Sequence, residues 1–198
     1  TAAFALPILT KMMDEGSKKS PRCVILEPTR ELAIQVAEIL NVYGKYLPLD
    51  AMLIYGGVKY GPQRKALEKG VDVIVATPGR LLDHLGQKNL NLNSLEYIVL
   101  DEADRMLDLG FIDDVARIIK YCPEKRQTML FSATMPGAIA DLKWLGIQWQ
   151  EGPLIGGPHS PYIQSQRTTH YIEAWKKLAA GGYIYPCNYS RKQINAYR

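Results

Sequence analysis

Tyr97-Ile98-Val99-Leu100-Asp101-Glu102-Ala103-Asp104 is the stretch on which the fold turns. Its first half is apolar and partly β-branched, and it runs directly into three acidic side chains. A short apolar run bounded by polar residues reads as a buried strand. Carboxylates at the carboxyl end of a parallel strand stand where open α/β sheets bind their ligands. There one can serve Mg2+, directly or through water, and a second can polarise a water beside a terminal phosphate. Taken alone, the acidic tetrapeptide also reads as a solvated turn. A second strand, Thr128-Met129-Leu130-Phe131, ends in Ser132-Ala133-Thr134. It sets hydroxyls at the same sheet edge and favours a site.

The same rhythm extends upstream. Strands are expected at 22–27, 51–55, 71–76, 96–101 and 127–132, alternating with helices at 2–13, 30–46, 60–69, 79–86 and 111–121. Such alternation argues for a parallel sheet covered by helices on both faces. The strands are nearly continuous apolar runs, as expected where both faces are buried. Gly16-Ser17-Lys18-Lys19-Ser20-Pro21 is a loop by composition.

Three further strand ends carry distinctive turns: Pro28-Thr29-Arg30-Glu31-Leu32-Ala33 after the first strand, Gly56-Gly57 after the second, and Thr77-Pro78-Gly79-Arg80 after the third. In this order, with Asp101 to Asp104 and Ser132 to Thr134, the set resembles the first RecA-like domain of DEAD-box RNA helicases over residues 1–142. Five ordered motifs at strand ends are far more specific than one short pattern.

The resemblance implies a three-layer RecA-like sheet and a set of roles. Asp101 serves Mg2+ and Glu102 positions or activates water. Asp104, Ser132 and Thr134 couple nucleotide state to domain closure. Pro28, Thr29, Arg30, Gly56, Gly57, Thr77, Pro78, Gly79 and Arg80 contact RNA. ATP and Mg2+ are the implied cofactors. The chemistry suits these assignments, because phosphoryl transfer needs charge placement and water orientation more than covalent work. Helix N-termini and glycine amides offer N–H donors to phosphates, and arginine adds a fork. Such contacts fix a backbone without reading bases. Local readings compete: Ser132 and Thr134 as turn caps, and Thr77 as a simple helix cap.

No Gly-x-x-x-x-Gly-Lys-Ser/Thr run occurs in these residues. The family places that loop just before a helix like Ala2–Met13, so Thr1 resembles its last residue and is a candidate cofactor-binding position. The sheet is therefore expected to be truncated at its start, with an unpaired edge or a gap where a strand is missing. The second RecA-like domain and its arginine finger are likewise absent from the sequence. Little turnover is expected from this chain alone, and a non-catalytic RNA-binding or scaffolding module is the rival reading.

Composition changes after residue 142. Residues 1–142 carry 17 Lys/Arg against 18 Asp/Glu, whereas 143–198 carry 7 against 2 and all three tryptophans. Two domains of different origin, 1–142 and 143–198, are the expectation. Helices are expected at 137–145 and 165–180, separated by a Gly/Pro-rich stretch, giving a C-terminal helix-loop-helix extension. Residues about 141–198, through Tyr162-Ile163-Gln164-Ser165-Gln166-Arg167 and Gly182-Tyr183-Ile184-Tyr185-Pro186-Cys187, resemble a fragment of glutamyl-tRNA synthetases. That family's His-Ile-Gly-His and Lys-Met-Ser-Lys-Ser types of ATP signature are missing, which argues against such an activity. Cys187-Asn188-Tyr189 replaces a Cys-x-Cys pair, and one thiol is a poor zinc site, so no zinc is expected. Cys23, Cys122 and Cys187 form no disulfide framework. With no run long enough to span a membrane, a cytoplasmic setting is the expectation.

Overall fold

The apolar runs form β1 (Cys23–Leu26), β2 (Ala51–Ile54), β3 (Val73–Ala76), β4 (Tyr97–Leu100) and β5 (Gln127–Leu130). All neighbouring strands are parallel, in the order β2-β3-β1-β4-β5. The computed structural model describes residues 1–133, 150–152, 155–184, 186 and 193. It divides into two units, Thr1–Gln148 and Trp149–Arg198. The five strands pair without a gap, and β2 and β5 are the edges among the described residues.

Helices α1 (Ala2–Met13), α2 (Arg30–Tyr43), α3 (Tyr60–Glu68), α4 (Pro78–Gly86), α5 (Ala103–Asp108) and α6 (Ile112–Ile119) connect the strands. On one face of the sheet, Phe4, Ile8, Leu9 and Met12 of α1 and Ala33, Val36 and Leu40 of α2 meet Cys23, Ile25, Val73, Val75 and Val99. Alternate strand residues point the other way. Val24, Leu26, Ile74, Ile98 and Leu100 are buried there too, while Leu81, Leu85, Val115 and Ile118 of the packed pair α4 and α6 are out of solvent. Burial on both faces holds for β1 and β3 throughout. The edge strands β2 and β5 are only partly covered.

At the amino end of the sheet, fully buried Arg22 ties the layers together. Its Nε and Nη2 donate to the two oxygens of Glu96 at 2.7 and 3.0 Å, and Nη1 reaches the carbonyls of Met12 and Gly16 at 3.3 and 3.2 Å. The last turn of α1 thereby finds partners for its carbonyls. The paired guanidinium holds the Glu96 carboxyl below its usual range. Buried Asp72 does similar work for the neighbouring loops, accepting from Ser17 Oγ (2.7 Å), Lys18 N–H (2.9 Å) and Asp50 N–H (3.0 Å).

Several expected boundaries move. Helix α2 stops at Tyr43, where Gly44 caps it, and α4 begins at Pro78, a residue suited to a first helical position. Helix α5 begins inside the acidic tetrapeptide, where the sequence reading places no helix. In the second unit the expected helix is a 3-10 turn, Gln164–Gln166, followed by α7 (Thr168–Ala180). No residue of α7 is buried, so Tyr171, Trp175 and Leu178 are an exposed stripe. The expected helix at 137–145 lies outside the described residues.

Candidate nucleotide and RNA interface at the carboxyl edge of the sheet

Four adjacent strands deliver their next residues to one edge. The ladder continues one step past the strands: Glu27 N–H donates to Ala76 O (2.9 Å), Asp101 N–H to Leu26 O (3.1 Å) and Phe131 N–H to Leu100 O (2.8 Å). Leu26 is paired with Leu100, so Glu27 and Asp101 occupy neighbouring register positions and project on the same side.

Asp101 and Glu102 are half-buried. Asp101 Oδ1 accepts from Glu102 N–H at 3.0 Å. Burial raises the Asp101 carboxyl above its usual range, while that hydrogen bond opposes the rise. Glu102 precedes α5 with φ 50° and ψ 47°, in the left-handed region. A non-glycine residue costs roughly 1–2 kcal/mol there. Such strain persists where the surroundings fix it, and it marks candidate sites. Here Ala103 N–H donates to Phe131 O (3.0 Å) and Asp104 N–H to Ser132 Oγ (3.3 Å). The two strand ends read as a unit in the sequence are therefore directly bonded. Ser132 makes this contact far along the chain, beyond any local turn. Thr134 lies outside the described residues.

Glu27 was not singled out by the sequence. It is buried, and neither carboxylate oxygen has a hydrogen-bond partner. Burial first, then the negative charges of Asp101 and Glu102, push its pKa up to about 8. The signal was present as a lone acid ending an apolar strand. Among the described residues no group of three or more His, Cys, Asp or Glu could cage a metal. Mg2+ does not require one, since it keeps several waters and is bound through one or two carboxylates plus phosphates. Asp101, with the orphaned buried carboxyl of Glu27 beside it, fits that mode.

The second half of the edge consists of turns. Thr29 caps α2, its side chain accepting from Leu32 N–H at 3.3 Å, and Arg30 beyond it is exposed. Thr77 makes no side-chain capping bond to α4, so the simple-cap reading does not describe it. Gly56 and Gly57 are exposed. Gly57 has φ +81°, a conformation that favours glycine, and a Cβ there would lie 3.9 Å from Arg30 Nη1. Arg80 is different from Arg30, because its side chain is only 9% exposed. Two tyrosines complete the group: Arg30 lies over the Tyr55 ring at 4.7 Å and Arg80 over the Tyr60 ring at 4.1 Å.

A five-stranded parallel sheet in the order β2-β3-β1-β4-β5, with carboxylates at one strand end and exposed glycine turns beside an arginine, has the RecA-like fold. The chain belongs to the DEAD/DEAH box helicase family, whose model matches residues 1–142. It is 51% identical over 143 residues to the ATP-dependent RNA helicase DeaD of Mycobacterium tuberculosis, covering 72% of this chain and 25% of that protein. It is 50% identical over 140 residues to DeaD of Escherichia coli K12, covering 70% and 22% respectively. A DEAD box protein structure from Methanococcus jannaschii matches with 43% identity and a TM-score of 0.67, over 72% of this chain and 38% of that one. The chain thus spans about a quarter of the length of the curated relatives it matches. Nothing in these comparisons supports the synthetase resemblance after residue 142, and it is not carried into the functional reading.

Proposed function

We propose that residues 1–142 are the first RecA-like domain of an ATP-dependent RNA helicase. The observation that carries this is the bonded junction of two strand ends, in which Asp104 N–H meets Ser132 Oγ beside Asp101 and Glu102. Asp101 holds Mg2+, with Thr1 at the neighbouring helix start, and Glu102 orients the attacking water. A cation held by Asp101 would supply neutralisation of charge on the phosphate oxygens. Asp104 and Ser132, with Thr134, relay the nucleotide state. The turns 28–30, 56–57 and 77–80 form the RNA surface, and it grips the backbone without reading bases.

Two measurements test this on the 198-residue chain. Affinity for unrelated single-stranded RNAs, read by fluorescence anisotropy, should be similar among sequences and fall steeply with salt. Arg30→Ala should weaken it by roughly 10-fold or more, the size of one lost charge-assisted contact. Unchanged binding in that variant removes the RNA surface from the proposal. Because the basic segment 143–198 also attracts RNA, a chain ending near Leu142 serves as the control. Phosphate release from MgATP with RNA should equal that of Glu102→Gln, since the chain carries no Gly-Lys phosphate loop. Turnover abolished by Glu102→Gln would show instead that the chain is catalytically sufficient. The rival reading, a non-catalytic RNA binder, predicts that Glu102→Gln stays silent even when the missing phosphate loop is fused upstream of Thr1.

A further inference from the structure

Arg80 belongs to a turn expected to touch RNA, yet its guanidinium faces inward. Nη2 donates to Val58 O at 3.1 Å, Nε lies 4.0 Å from Asp83 Oδ2, and the group stacks on Tyr60. Nη1 reaches neither solvent nor a hydrogen-bond partner. With the side chain only 9% exposed, little of the guanidinium is open to a phosphate outside the protein.

What the guanidinium does hold is one end of the glycine turn. The other end is held by Gln63, whose Nε2 donates to Tyr55 O at 3.2 Å. Gln63 is itself fixed by His84, with Nε2 and Oε1 3.0 Å apart. Since Gln63 Oε1 can only accept, His84 donates through Nε2–H and its buried Nδ1 is bare. Burial, and then the Arg80 charge, lower the His84 pKa and keep the ring neutral. The ring lies 5.1 Å from that of Tyr60, which closes the cluster. Between the pinned carbonyls of Tyr55 and Val58 stand Gly56 and Gly57, exposed and beside Arg30.

We infer that Arg80, Tyr60, Gln63 and His84 form a partly buried brace that sets the Gly56–Gly57 turn beside Arg30. Arg80 is then a positioning residue for the RNA backbone and not one of its ligands. The inference rests on the proposed RNA surface and assigns the division of labour within it. Arginine is required because a planar fork can bond Val58 while its face stacks on Tyr60, and a lysine ammonium cannot do both.

The test uses the 198-residue chain and an oligouridylate as probe. Tyr60→Leu, Arg80→Ala and Arg80→Lys should each weaken binding roughly 5-fold, and Tyr60→Phe, which keeps the ring, by less than about 2-fold. The double variant Tyr60→Leu/Arg80→Ala should be no weaker than either single one. Arg30→Ala should lower the slope of log affinity against log salt by about 0.7, the share of one phosphate contact on a single strand, while Arg80→Ala leaves the slope unchanged. A slope lowered equally by Arg80→Ala, or affinity restored by Arg80→Lys, overturns the brace. Amide NMR spectra without RNA give an independent decision. The Gly56 and Gly57 resonances should move in Tyr60→Leu and in both Arg80 variants, and stay in Tyr60→Phe. If they stay in Arg80→Ala, the brace is wrong whatever the RNA shows. If the parent chain binds no RNA, the proposed function fails and the spectra still decide the brace.

Discussion

Glu27 shows how one side chain can couple the fold to pH. Its pKa of about 8 means that, between the usual carboxylate range and that value, the folded chain keeps a proton the unfolded chain has released. The unfolded state then binds fewer protons, so stability is full at acidic pH and falls as pH rises through about 8. Glu27→Gln cannot ionise and should remove this fall. Thermal melts at pH 5 and pH 8 should show the variant gaining on the parent by roughly 5 °C at the higher pH. Parallel melting profiles would mean that a solvated or partnered carboxylate sits at this position. Glu102 is the contrasting residue. Its place was legible as an acid after an apolar strand, but its left-handed backbone was not, because the bonds from Ala103 and Asp104 to the next strand end accompany it.

At the scale of elements, the strands were legible because each is a short apolar run with a polar stop, and the parallel order followed from the helices between them. What escaped was tertiary. Helix α5 is six residues long and carries too few apolar positions to show a period. The brace includes contacts between residues 21 and 22 apart, and works through a neutral histidine, a glutamine and a tyrosine, types that carry no motif of their own. Arg22 is a similar case: a lone basic residue before β1 proves to join α1, β1 and the start of β4. Arg22→Ala removes two hydrogen bonds to Glu96 and the side-chain donor to the Gly16 carbonyl, and should cost about 3 kcal/mol in urea unfolding. Replacing both ends, Arg22→Met with Glu96→Leu, should cost less than Arg22→Ala alone, since no charge is then left unpaired. If the double change is the sum of the singles, the pair is not acting as a unit.

The whole molecule sets a well-buried sheet against a second unit of a different character. Central strands such as β3 and β4 hold residues at 0–1% exposure, whereas α7 has none buried. Helices of fewer than about 12–15 residues are marginal in water without a surface to cover, and α7 has 13. Its amides are therefore expected to open at far lower free energy than those of the core. We propose that the break in composition at residue 142, where the family match ends, separates two independently stabilised parts. In hydrogen exchange, amides of Thr168–Ala180 should exchange at least about 100-fold faster than those of Ile98 to Asp101, which corresponds to a gap near 3 kcal/mol. A chain ending at Gln148 should melt within about 2 °C of the parent, because surface changes away from a core are worth only tenths of a kcal/mol. Equal protection of the two segments, with a large loss on shortening, would require one continuous core. The RNA surface would then have to be sought on both parts together.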